Sequence, residues 1–317
     1  MQAVLSERHR RLATIFEASQ CSNQFPLMKE MAFAPSLSDT LAHATLLYLL
    51  SSLRLSHPKK EFVISEDFLS RYREPILELI NRTPNGKVNP LRENALEFNM
   101  IEKTVEQIFK SLNIDDQADL MQFPVSLRVQ DGTPDVDVED RPYATSKIHS
   151  DIWTGEPADC AAVIIPVMGD LANSGLDFFE PQFKRVEDFA KVYQDYLDTI
   201  PFTTTAQAYG CNLKLSHLYV FDSFCLHKTV KNNGGLRISV DFRFTYKKKI
   251  ASDALVDSFR AEKYVSLADW YTIDKHTIAM PTQTADATRS QFKNTNSTEL
   301  KQTSETNFDT INLNIVS

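Results

Sequence analysis

The chain has 317 residues, 42% hydrophobic and 24% charged, with a formal net charge of -8. This composition fits a soluble globular protein of one elaborated domain. The acidic balance excludes non-specific nucleic-acid binding, which draws on clustered Lys and Arg, and the most apolar run, LAHATLLYLL, falls far short of the ~20 residues that span a bilayer.

The N-terminus, MQAVLSERHRRLATIFEASQ, is charged throughout, so no signal peptide is expected. Residues 37–55 and 66–82 are rich in helix formers. In ALEFNMIEKTVEQIFKSLNI, residues Phe98, Ile101, Val105, Ile108, Phe109 and Leu112 fall on one face at helical period. Residues 1–120 are therefore expected to be mainly helical.

The pattern then shifts. FPVSLRVQ, TSKIHSDIW, CAAVIIPVMGD, GLDFFEP, LKLSHLYVFD and LRISVDFRFTY are short, rich in β-branched and aromatic residues, and bounded by turn formers. Seven of the eight glycines lie between Gly132 and Gly235, where tight turns need them. Residues 121–250 are thus predicted as a β-core, interrupted by an amphipathic helical insert over 183–200. A further helical segment is expected over 251–280, followed by a polar tail, residues 281–317, whose last residues alternate well enough to add to a sheet edge. Many short strands with helices before and between them predict an α+β fold: a double-stranded β-helix of jelly-roll or cupin type, wrapped by helices. Cys21, Cys160, Cys211 and Cys225 follow no zinc or CxxC spacing, and the last three sit among apolar strand residues. Reduced thiols in a cytoplasmic protein are expected.

Chemistry concentrates in SKIHSDIWTGEP. On a strand, His149 and Asp151 would point to one side and converge. A third ligand from another strand completes a facial triad of two histidines and one carboxylate, the arrangement of non-haem Fe(II) oxygenases. Among the downstream histidines, His227 stands where a strand runs into a turn; His217 reads as a strand histidine and His276 as a surface one. On the following strand Arg237, Ser239, Asp241 and Arg243 alternate with Ile238, Val240, Phe242 and Phe244. A charged face turned into a barrel needs a ligand or close pairing to offset its burial. Arg237 and Ser239 suit a carboxylate; Asp241 and Arg243 suit each other or a neighbour.

H-x-D, a distal His and an Arg ten residues beyond it within R-x-S resemble the Fe(II)/2-oxoglutarate-dependent dioxygenase superfamily. The phytanoyl-CoA-hydroxylase-like branch, with its bacterial natural-product hydroxylases, is the most similar. The resemblance covers about residues 121–250. It implies iron on His149, Asp151 and His227, and the distal carboxylate of 2-oxoglutarate on Arg237 and Ser239. It also implies an O2-dependent hydroxylation of a small polar metabolite that releases succinate and CO2. Arg128, Lys147, Trp153 and Glu180 are candidates for substrate contact. Two other classes stay open: a cupin-type metal-binding isomerase, and a non-catalytic binding or sensor module. Nothing in the sequence indicates an oligomeric state.

Overall fold

The computed structural model describes residues 2–16, 27–134, 144–255, 263–272, 277–281 and 308–312. Helices α1 (Gln2–Ile15), α2 (Pro35–Ser56), α3 (Phe68–Arg71), α4 (Arg73–Leu77) and α5 (Ala95–Ser111) occupy the first part, together with strands β1 (Met28–Ala32) and β2 (Lys87–Val88). Then come β3 (Ala118–Gln122), β4 (Ser126–Asp131), β5 (Cys160–Gly169), β6 (Leu176–Phe179), α6 (Val186–Phe189), α7 (Ile200–Thr203), β7 (Ala208–Cys211), β8 (His217–Asp222), β9 (Leu226–Thr229) and β10 (Leu236–Tyr246). Strand β11 (Tyr264–Ser266), α8 (Leu267–Trp270), β12 (Thr277–Pro281) and β13 (Phe308–Asn312) complete the described chain.

The result is a mixed fold with antiparallel sheets. The large sheet runs β1-β8-β5-β10-β3-β11, with β4 paired to β10 and β2 to β4. A three-stranded sheet runs β7-β6-β9. Strand alternation decides what each face meets. Ala161, Val163, Ile165 and Val167 of β5, Leu218 and Val220 of β8, and Ile238, Val240, Phe242 and Phe244 of β10 join one apolar core with α2 and α5. Ala162, Tyr219 and Phe221, from the opposite face of the same strands, join a second core with Phe178 and Leu226 of the small sheet. Arg237, Ser239, Asp241 and Arg243 face this second side, as the alternation in the sequence requires. In β5, Pro166 cannot donate to the ladder, and the register to β10 shifts beside it, leaving Val167 as the extra residue of a bulge.

Several elements differ from the sequence-based expectation. TSKIHSDIW is not a strand: His149 makes a single bridge to His227, and Asp151–Thr154 form a 3-10 turn closed by Gly155 at φ 92°. The insert over 183–200 does not form one helix. It curls around Trp153, whose indole N–H donates to Phe189 O (3.0 Å) and whose carbonyl accepts from Tyr193 N (3.1 Å). These bonds take backbone groups that a continuous helix would use internally. Past β10, Tyr264–Ser266 form an added strand on β3, and among the described residues only Leu267–Trp270 are α-helical. Of the tail, β13 pairs antiparallel with β12. Cys21, His276 and most of the polar tail lie outside the described residues.

Candidate metal and anion site

His149 and His227 form the bridge that joins the 149–151 segment to the small sheet. His149 N–H donates to His227 O (3.0 Å), and His227 N–H donates to His149 O (2.9 Å). Reciprocal bonding puts both side chains on one side, with ring centroids 4.3 Å apart. Each ring presents Nδ1 to a backbone carbonyl: His149 to Lys147 O at 2.8 Å and His227 to Cys225 O at 3.2 Å. That contact fixes Nδ1 as the protonated nitrogen and leaves Nε2 as a free donor for a metal.

Ser150, between the first two candidate ligands, is extended (φ -109°, ψ 144°), so Asp151 projects to the same side as His149. The Ser150 hydroxyl, fully buried, donates to Ser223 O at 2.6 Å and ties this segment to the turn before His227. One ligand atom from each of His149, Asp151 and His227 lies within 4.8 Å of the others, and His227 Nε2 is 4.0 Å from Asp151 Oδ1. Ligands about 2.1 Å from one ion on a shared octahedral face sit about 3 Å apart. Side-chain adjustments of about 1 Å close the site, so the donor set fits a divalent metal.

Asp151 is paired with Arg243, which sequence reasoning left between two partners. Nε donates to Oδ2 and a terminal nitrogen to Oδ1, both at 2.8 Å. Burial works to raise the Asp151 pKa, but the charge and hydrogen bonds of Arg243 outweigh it and hold the carboxyl well below its usual range. Each carboxylate oxygen has a second lone pair, so Arg243 orients the group without using up its capacity to ligate. Asp241 is matched instead by Arg128, through Nε to Oδ1 (2.9 Å) and a terminal nitrogen to Oδ2 (2.8 Å).

Among the described residues Arg237 has no carboxylate partner. It is 1% exposed, donates from one terminal nitrogen to Ser174 O and Gly175 O (both 3.1 Å), and its Nε is buried without a hydrogen bond. Burial, reinforced by the charge of Arg128, lowers its pKa to about 10. It lines a cavity, partly open to solvent, with His149, His227 and Ser239. A buried guanidinium without a counter-ion, facing a cavity, fits an anionic ligand.

No family model and no curated protein matches the sequence. Solved structures similar to the chain do exist. The non-haem α-ketoglutarate-dependent carbocyclase SnoK of nogalamycin biosynthesis is 10% identical over 81% of this chain and 94% of its own, at TM-score 0.44. AviO1 from Streptomyces viridochromogenes Tue57 is 13% identical over 76% of this chain and 96% of its own, at TM-score 0.43. A Pseudomonas putida prolyl-4-hydroxylase is 10% identical over 77% of this chain and all of its own (100%), at TM-score 0.33.

The other candidate residues separate. Arg128 lines the cavity. Lys147, 8% exposed, sets its ammonium 4.7 Å from the ring centre of Tyr196. Trp153 is not at the cavity; it is a core residue packed edge-on against Phe189 and Tyr193. Glu180 is half-buried and also absent from the cavity wall. Thr145 and Thr229, unremarked in the sequence, also line that wall. His217 bonds Leu215 O through Nδ1 (2.9 Å) and faces Glu30 at 3.7 Å, away from the other two histidines.

A buried ion network supports the turn ahead of His227. Asp222 meets Arg8 at 2.8 Å and Arg11 at 3.4 Å, and the same two arginines reach Asp253 at 3.0 and 2.6 Å. Arg8 also lies 3.5 Å above the Phe224 ring. Asp222 Oδ1 accepts from Phe224 N at 2.9 Å, and Asp222 O accepts from Cys225 N at 2.8 Å, which shapes the turn. The sequence offers no short-range signal for this network, because its members are separated by most of the chain.

Burial is the main cause lowering the His227 pKa from 6.5 to about 3, with His149 adding to it, and burial also lowers the His149 pKa. A depressed histidine stays neutral while its unfolded counterpart takes up a proton. The unfolded state therefore binds more protons between these values, and stability falls as pH drops through that window. Urea midpoints of metal-free protein are expected to decrease from pH 6.5 downward, and His227→Gln is expected to flatten that slope. An unchanged slope in the variant would remove His227 as its source.

Proposed function

We propose that the protein is an Fe(II)- and 2-oxoglutarate-dependent oxygenase acting on a small polar molecule, with a double-stranded β-helix core over about 121–250. Hydroxylation is the specific outcome proposed. The observation that carries this reading is the His149–Asp151–His227 donor set, whose two histidines line one cavity with Arg237, a buried guanidinium without a carboxylate partner among the described residues. A cupin-type isomerase needs neither Arg237 nor an oxo-acid.

In this reading His149 and His227 ligate through Nε2, Asp151 supplies the carboxylate, and Arg243 holds that carboxylate in place. Arg237 and Ser239 take the distal carboxylate of 2-oxoglutarate. When bound, iron and the oxo-acid supply the oxidising chemistry, with O2 consumed and succinate and CO2 released. The chain sets geometry and access. Phe221, Ile164 and Leu176 give the cavity an apolar wall that limits water. Among the described residues Cys160, Cys211 and Cys225 are free thiols, which accords with a cytoplasmic location, and no described helix is long and apolar enough to cross a membrane.

The test is metal content. Wild-type protein reconstituted anaerobically should retain one Fe(II) per chain after desalting, and His149→Ala should retain less than a tenth of that. Equal iron in both would overturn the ligand set.

A further inference from the structure

The register across β2, β4 and β10 places three side chains in one row. Lys87 pairs with Arg128, and Arg128 pairs with Ser239. Directly opposed residues of antiparallel strands point to the same face. Arg128 and Ser239 line the cavity, and Lys87 extends their row by one strand, on the same sheet face at the β2 edge and just beyond the lining residues.

The charges of this face are matched one by one, with a single exception. Arg128 is neutralised by Asp241 and Arg243 by Asp151. Under the proposed function, Arg237 is matched by the distal carboxylate of 2-oxoglutarate. Lys87 is half-buried, and its ammonium makes no ion pair or hydrogen bond to any described residue. Burial is the main cause lowering its pKa to about 8. Lys263, Arg128 and Arg243 push the same way, and Asp241 opposes them. An ammonium held among cations gains from an added anion.

Resting on the function proposed above, we propose that the substrate carries a carboxylate, and that this carboxylate docks on Lys87 beside Arg128. Arg128 directs Nε and one terminal nitrogen to Asp241 and the other to Asn85 O (2.9 Å). An incoming anion therefore meets chiefly one point charge, which suits a singly charged carboxylate better than a phosphate, whose recognition calls for several convergent donors.

The experiment uses the full chain loaded anaerobically with Fe(II) and 2-oxoglutarate, whose visible charge-transfer band reports on the cavity. Benzoate, benzamide and phenyl phosphate are titrated as probes. Benzoate is expected to perturb the band saturably and at least ten-fold more tightly than benzamide. Lys87→Met should weaken benzoate at least ten-fold while keeping the unperturbed band, and Lys87→Arg should restore most of the affinity. Benzoate no tighter than benzamide, or unaffected by Lys87→Met, would overturn the carboxylate site alone. Phenyl phosphate binding more tightly than benzoate would also overturn it, in favour of a phosphate. No band in the wild-type protein would overturn the proposed function and this inference with it.

Discussion

Replacing Asp222 by Ala is expected to cost about 3–5 kcal/mol of folding stability, the range for breaking a buried ion pair by removing one partner. Arg8 and Arg11 have side chains 0% and 1% exposed, and the change leaves them sharing Asp253 alone. Two guanidinium charges then remain in a dry interior with half their compensation. Phe224 N also loses its acceptor, Asp222 Oδ1, so the turn that delivers His227 loosens. A total of about 5–15 kcal/mol is usual for a folded domain, so the variant should sit near the edge of stability. Urea unfolding would measure the loss. The double variant Arg8→Met, Asp222→Leu should recover a good part of it, because a matched apolar pair carries no desolvation cost. A loss below about 1 kcal/mol in Asp222→Ala would mean that the network holds nothing together.

Arg237→Met is expected to produce two effects of opposite sign. Affinity for 2-oxoglutarate should fall by about 100-fold or more, the consequence of removing one partner of a buried charge-assisted pair worth 2–5 kcal/mol. The ligand-free protein should unfold at the same or higher urea concentration, because the variant removes a buried cation that has no counter-ion among the described residues and an Nε without a hydrogen bond. Calorimetry of 2-oxoglutarate binding to metal-loaded protein and urea unfolding of the metal-free protein separate the two. If Arg237 merely braced Ser174 and Gly175 through its 3.1 Å bonds, stability would drop and affinity would hold.

The sequence carried the polar and apolar faces of β10 in full, because strand alternation is local and needs no knowledge of partners. It carried the meeting of His149, Asp151 and His227 in part for the same reason: His149 and Asp151 are two residues apart, and His227 follows a strand end. The backbone that carries them differs from the expected strand. Ile148, Ile152 and Trp153 suggested a strand, but Gly155 and Pro157 close the chain behind Asp151 and turn it into 3-10 geometry. The two side chains still converge, since only Ser150 between them must be extended. Over 183–200 the periodicity of Phe189, Val192, Tyr193, Tyr196 and Leu197 described a face well, but tertiary bonds to Trp153 overrode helical propensity. Arg243, by contrast, was visible as an inward-facing charge whose partner was not. Choosing between Asp241 and Asp151 depends on which strand lies beside β10, and β4 brings Arg128 to Asp241 first. The Arg8–Arg11–Asp222–Asp253 network was illegible because its members meet only through the packing of α1 against β8.

The central claim, an iron and oxo-acid site built on His149, Asp151, His227 and Arg237, is tested most directly by absorbance under anaerobic conditions. Adding 2-oxoglutarate to the Fe(II)-loaded wild-type protein should raise the weak visible charge-transfer band of an iron chelate. The band should saturate at one equivalent and bleach on exposure to air as succinate forms. A protein that binds Fe(II) yet shows no such band at saturating 2-oxoglutarate would contradict the account.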